Sequence, residues 1–225
     1  STLFPYTTLF RSQHQYRLQL RDSGLLKTGS FHLIVDSEYF YLTNGNNLIY
    51  KSERPSLDLQ FASGHPLPNF FDFCQLSGGS CFLKTYNPGQ GVSSISKLFY
   101  NPYLLKEKPG ILEKQVDGLF DTDGMMQYDQ TTQKLIYVYY YRNQFIVTDS
   151  NLNLLYRGNT IDSNTTVKFK VASFNRQRTT VIAAPMRINN KRILSYRGMI
   201  FIQSGLVSSN EQPDILGRYA VVDVY

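Results

Sequence analysis

Between residues 124 and 162 the chain alternates short apolar runs with polar turn formers and carries no helical period: GMMQYDQTTQKLIYVYYYRNQFIVTDSNLNLLYRGNTID. Residues 135–141 are β-branched and aromatic, the composition of a strand with at least one buried face. Arg142-Asn143 interrupts the run, and a polar pair containing an Asn that tolerates positive φ predicts a two-residue hairpin returning through residues 144–148. Asp149, Ser150, Asn151 and Asn153 turn the chain again, after which Leu154, Leu155 and Tyr156 resume an apolar run. Residues 125–128 supply an opening strand ahead of Asp129-Gln130-Thr131-Thr132. Four short antiparallel strands in about forty residues make the unit that radial all-β folds repeat.

The same grammar recurs. FHLIVD, YFYLT and NLIYK in residues 31–51 are separated by Ser37-Glu38 and by Asn44-Gly45-Asn46-Asn47, and Asn44-Gly45 is the strongest hairpin signal in the chain. Residues 70–86 offer a strand pair around Ser77-Gly78-Gly79-Ser80, and residues 199–203 and 219–225 are strand-like. Taking Tyr39, Cys81, Leu135 and Met199 as equivalent positions gives steps of 42, 54 and 64 residues, a spacing compatible with propeller blades carrying loop insertions. The expected fold is all-β, a β-propeller-like array of short antiparallel sheets that is incomplete; a large antiparallel β-sandwich would show the same short strands.

Composition fits a folded β domain, with 42% hydrophobic, 14% aromatic and 18% charged residues. Without a Gly/Ser- or Pro-rich linker between dissimilar halves, residues 13–225 read as one domain, whose weakest joint is the charged, proline-bracketed stretch 101–118. Residues 1–12, STLFPYTTLFRS, resemble translated adapter sequence and are set aside; this lowers the net charge only from +6 to +5. The apolar YAVVDVY at the other end leads us to expect a chain truncated on both sides. The basic residues are scattered. Even the densest group, Arg176, Arg178, Arg187, Lys191, Arg192 and Arg197, is interleaved with other residues, which argues for a solvated face and against a nucleic-acid surface.

Candidate chemistry is sparse. Cys74 and Cys81 flank the Gly-Gly turn; a turn at Ser77-Gly78 would pair them for a disulfide, whereas a four-residue turn at 77–80 would pair Cys74 with Leu83 and leave two free thiols. His14, His32 and His65 are isolated, so neither a zinc site nor a Cys-His pair is indicated, and no metal or cofactor is expected. The nucleophile-elbow, phosphate-loop, dinucleotide and H-E-x-x-H motifs are missing from the sequence. Asp121-Thr122-Asp123-Gly124 opens like a calcium loop, but Thr132 occupies the position where a bidentate Glu is required, so an Asp/Gly turn into a strand is the better reading. Asp121 with Asp149, or Asp129 with Glu113, could form a carboxylate couple only if the fold brought them together. Tyr137, Tyr139 and Tyr141, on one face by strand alternation, suit stacking on a ligand, but packing between sheets is the stronger reading.

FFDFCQLSGGSCFLKTYN, the 123–129 segment and LIYVYYYRNQFIVTDSNLNLLYRGNTID together resemble an uncharacterised family of envelope-associated proteins from Bacteroidota, over residues 31–225. The resemblance implies a six-bladed β-propeller behind an N-terminal hydrophobic anchor, displayed in the periplasm or otherwise outside the cytoplasmic membrane, with the membrane touched only through that anchor. It carries over no catalytic residue. The expected function is a non-enzymatic binding or scaffold module of the bacterial cell envelope that holds a protein, peptide or glycan through Tyr139, Tyr141, Arg142, Asp149 and Arg157, which cluster near the turns of the clearest sheet. The alternatives are a hydrolase or lyase acting on a glycan or peptide through Asp121, Asp123 and Asp129, and a purely structural assembly component.

Overall fold

The eight-residue strands β7 (Ser80–Asn87) and β8 (Val92–Phe99) form the longest hairpin, closed by a turn in which Gly91 takes φ 63°. The computed structural model to which they belong describes residues 19–20, 31–63, 67–76, 79–167, 171–174, 179–182, 187–205 and 222–225. The adapter-like residues 1–12, His14, His65, Ser77, Gly78, Arg176 and Arg178 lie outside them. The chain divides into two compact units, Ser1–Leu67 and Pro68–Tyr225.

In the first unit, β1 (Gln19–Leu20), β2 (His32–Val35), β3 (Tyr39–Thr43), β4 (Ile49–Glu53) and β5 (Asp58–Phe61) make one sheet in the order β1-β5-β4-β3-β2. The Asn44-Gly45 turn forms where the sequence places it. Gly45 takes φ 68°, and Asn44 Oδ1 accepts hydrogen bonds from the amides of Asn46, Asn47 and Leu48 at 2.9–3.0 Å. Leu48, Tyr50 and Leu59 form the small core.

In the second unit, β6 (Asp72–Gln75), β7, β8 and β9 (Leu104–Lys108) make a four-stranded antiparallel meander. A second meander contains β10 (Gly124–Asp129), β11 (Lys134–Tyr139), β12 (Gln144–Asp149) and β13 (Leu154–Asn159). The hairpin β14 (Val171–Phe174) and β15 (Thr179–Ile182) precedes a three-stranded antiparallel sheet of β16 (Asn190–Tyr196), β17 (Met199–Ser204) and β18 (Val222–Val224). The first strands of successive sheets face one another, β10 packing against both β6 and β16. The alternating pleat of the middle sheet then fills two cores. Met126, Leu135, Tyr137, Tyr139 and Ile146 pack with Phe82 and Ile95 on one side, while Ile136, Val138, Phe145 and Val147 pack with Ile200 and Ile202 on the other. Sheets stacked face to face with their first strands innermost make an incomplete, propeller-like all-β array. Cys81, Leu135 and Met199 fall on the second strands of their sheets and Tyr39 on β3, and the widest step contains β14 and β15.

The middle hairpin differs from its expected form. β11 ends at Tyr139, and residues 140–143 form the turn. The Tyr140 amide still donates to Asp123 O at 2.9 Å, in register with the β10–β11 pairing, but its carbonyl is drawn out of the ladder by accepting from the amides of Asn189 and Asn190. Asn190 Nδ2 fixes the turn further by donating to the carbonyls of Tyr139 (2.7 Å) and Arg142 (3.0 Å). Tyr141 therefore does not continue the face of Tyr137 and Tyr139, both of which are fully buried.

Candidate functional site

The five residues expected to bind a ligand separate into three places. Tyr139, Arg142 and Arg157 converge on residues 110–113. The Arg142 guanidinium, 1% exposed, lies 3.6 Å over the Tyr139 ring, and its Nη2 donates to Glu113 O at 3.1 Å. Arg157 Nε pairs with Glu113 Oε1 at 3.1 Å, and its Nη1 donates to Ile111 O at 2.9 Å. This corner clamps the segment after β9 to the middle sheet and leaves Tyr139 and Arg142 beyond the reach of solvent. Asp149 sits at the opposite end of β12, where Oδ1 accepts from the amides of Asn151 and Asn153, both at 2.8 Å. Burial pushes its carboxyl upward, but these amides and the Asn153 side chain together hold it below the usual value.

Tyr141 lies instead beside a cluster of acids and a lysine at the innermost strands. Lys84 comes from the middle of β7, where a charge is unexpected in a buried run. Its Nζ donates to Asp123 Oδ1 at 2.8 Å; the lysine side chain is buried, whereas the Asp123 side chain is 42% exposed. Asp72 is the cross-strand partner of Lys84, so the two side chains share a face. Its Oδ1 accepts from the Phe73 amide at 2.8 Å and its Oδ2 from the Met126 amide at 3.1 Å, which ties β6 to β10. Burial pushes the Asp72 carboxyl up to about 6; the two amides and Lys84 oppose this, and Asp123 reinforces it.

Tyr140 and Tyr141 stand over this cluster, half-buried, with ring centroids 5.9 Å apart and planes at 56°. Burial, followed by the carboxylates of Asp123 and Asp72, pushes the Tyr140 phenol up to about 12. Burial and Asp123 raise Tyr141 in the same direction. Both phenols are neutral donors at physiological pH beside an accessible carboxylate. Such a platform can accept hydroxyl or amide protons through Asp123 and stack flat apolar faces on the rings. Sequence reasoning singled out Tyr141 and Asp123 but neither Asp72 nor Lys84. The available signal was the lone lysine inside SCFLKTYN, a charge that a buried strand must pair.

The carboxylates considered for catalysis serve separate pieces of backbone. Asp121 accepts from the amides of Gln115 (2.6 Å), Gly118 (2.8 Å) and Val116, closing the loop before β10. Asp129 accepts from Thr131 at 2.8 Å, Thr132 at 3.2 Å and, across to the β16–β17 turn, Gly198 at 3.0 Å. Among the described residues, no group of three His, Cys, Asp or Glu side chains could hold a metal ion. Cys74 faces Phe82 across the β6–β7 ladder and Cys81 faces Gln75, so the two thiols project from opposite sides of the sheet and both are free. This register is neither of the two considered from the sequence. Burial pushes Cys74 up to about 12 and Cys81 higher still.

No protein-family description and no curated protein matches this chain. Among solved structures it is similar to Hsv2p of Kluyveromyces lactis, with a TM-score of 0.41 and 9% identity over 81% of this chain and 51% of that one. It is also similar to Hsv2 of Kluyveromyces marxianus, with a TM-score of 0.42 and 9% identity over 87% of this chain and 53% of that one. The chain spans about half the length of these structures.

Proposed function

We propose that this chain is a non-enzymatic binding module of the bacterial cell envelope that holds a peptide or glycan on the Tyr140–Tyr141 platform. The observation that carries the reading is the half-exposed Asp123 carboxylate, held from below by a buried lysine and flanked by two tilted tyrosine rings. Aromatic faces beside a fixed acceptor suit flat sugar or peptide surfaces, and the rigidity of the ion pair lowers the ordering needed on binding. A second support is negative. Both Asp72 oxygens are occupied by backbone amides, and Asp121 and Asp129 each close a turn, so these carboxylates act as ties within the fold. Extracytoplasmic display, a membrane anchor and a six-bladed parent propeller belong to the same proposal and rest on the sequence resemblance.

The test is to probe glycan and peptide arrays with the purified chain and with Tyr141→Leu. A ligand class bound by the parent and lost in the variant supports the platform; binding that survives the substitution places the site elsewhere.

A further inference from the structure

On the face of the first four-stranded sheet that packs toward the middle sheet, three lysines gather at the outer rim. Lys97 of β8 is the cross-strand partner of Lys106 of β9, and Lys108 lies two residues farther along β9 on the same face. Like charges directly opposite on antiparallel strands repel, yet here both ammoniums crowd one ring, with Lys97 Nζ 5.1 Å and Lys106 Nζ 5.5 Å from the Phe99 centroid. Lys97 is fixed in that position by donating to Ser150 O at 2.7 Å. Lys108 Nζ reaches Asn153 Oδ1 at 3.5 Å. Burial lowers the Lys97 pKa, and Lys106 lowers it further, while Asp149 opposes both. Glu107 points to the other face of the sheet, and Asp149 is the carboxylate that acts on Lys97 and Lys108 against the three ammoniums gathered here.

β9 is also an edge. Among the described residues it pairs with β8 alone, and Leu104, Lys106, Glu107 and Lys108 are exposed. An edge strand presents unpaired amides and carbonyls to a second strand, and its lysines disfavour a second copy of itself. We propose that β9 is a docking edge for an extended acidic peptide segment of a partner protein, which adds as a fifth strand with alternate carboxylates over Lys106 and Lys108, Lys97 standing behind Lys106 in the same row. The charges that repel another β9 select an acidic strand, and Leu104, 45% exposed on the same face, gives the peptide an apolar contact at the end of the row. The Tyr140–Tyr141 platform takes no part in this surface.

Fluorescence anisotropy with a labelled peptide of alternating glutamate and threonine tests the edge directly. The expected results are saturable binding that weakens with salt, a loss of about tenfold or more in Lys106→Glu/Lys108→Glu, and an equal loss when alternate peptide amides are N-methylated. Both lysines are exposed, so the variant's thermal midpoint should match that of the parent. Unchanged binding by the charge-reversed variant or by the N-methylated peptide overturns the proposal, the latter because charge alone would then be at work. Equal binding of a lysine-threonine peptide, full competition by millimolar inorganic phosphate, or self-association of the parent chain in sedimentation also overturns it.

Discussion

Lys84 and Asp123 form an asymmetric ion pair, in which the ammonium is sealed beneath β7 while the carboxylate stands half in solvent at the start of β10. The asymmetry decides what each partner's loss should do. Asp123→Ala strands a buried ammonium and should destabilise the fold by about 3 kcal/mol, with Asp72 nearby as a partial substitute partner. Lys84→Met fills the same space with an apolar chain and leaves a carboxylate that water can solvate, for a change of about 1 kcal/mol. Urea unfolding midpoints of the two variants should fall in that order.

Asp72 gives stability a pH dependence of unusual sign for an acid. Its folded pKa of about 6 lies above the unfolded value of 3.8, so its contribution is fully present below about pH 4 and is lost as pH rises through 6. A shift of this size corresponds to about 3 kcal/mol. In Asp72→Asn that component should vanish, although a single amide oxygen can serve only one of the Phe73 and Met126 amides. Between pH 4 and 8 the thermal midpoint of the parent should fall relative to that of the variant, because above pH 6 the parent carries a buried charge that the neutral amide does not.

Arg142 packs as a buried cation. Its Nε and Nη1 have no hydrogen-bond partner among the described groups, and its stabilising contacts are one carbonyl and the Tyr139 ring. Arg142→Met should keep most of the packing without the uncompensated donors and change stability by less than about 1.5 kcal/mol, whereas Arg142→Ala opens a cavity and should cost about 3 kcal/mol. Denaturant curves for the two variants distinguish packing from charge as the role of this residue.

The thiols supply a check on the β6–β7 register. With Cys74 and Cys81 on opposite faces and their pKa values raised by burial, neither should react with a disulfide reagent at pH 8 in the folded chain, and both should react after unfolding. A native chain that gives no thiol signal in denaturant without reductant would mean that a bridge had formed and that the register is different.

The strands were largely legible because each is a short run of β-branched or aromatic residues ended by Asn, Asp or Gly. YFYLT, LIYVY and QFIVTD appear in the structure nearly as they read in the sequence. Register was not legible. The Cys74–Phe82 pairing depends on how the β6–β7 turn closes, and a shift of one residue exchanges the faces. The turn at 140–143 was also hidden, since it is set by Asn189 and Asn190, which bind the carbonyls of Tyr139, Tyr140 and Arg142 from about fifty residues farther along the chain. The candidate site was harder still: Lys84 meets Asp123 across 39 residues and Asp72 meets Met126 across 54, distances at which composition and spacing carry no geometric information.

The proposed role of the Tyr140–Tyr141 platform over Asp123 is to bind a ligand without turning it over. Isothermal titration of the parent chain and Tyr141→Leu with the strongest array-selected glycan or peptide, with the ligand recovered and analysed afterwards, tests both halves together. The expected result is saturable binding that falls by about tenfold or more in the variant at an unchanged thermal midpoint, with the ligand recovered intact. Equal affinity in the two proteins, or a ligand returned cleaved, would contradict it.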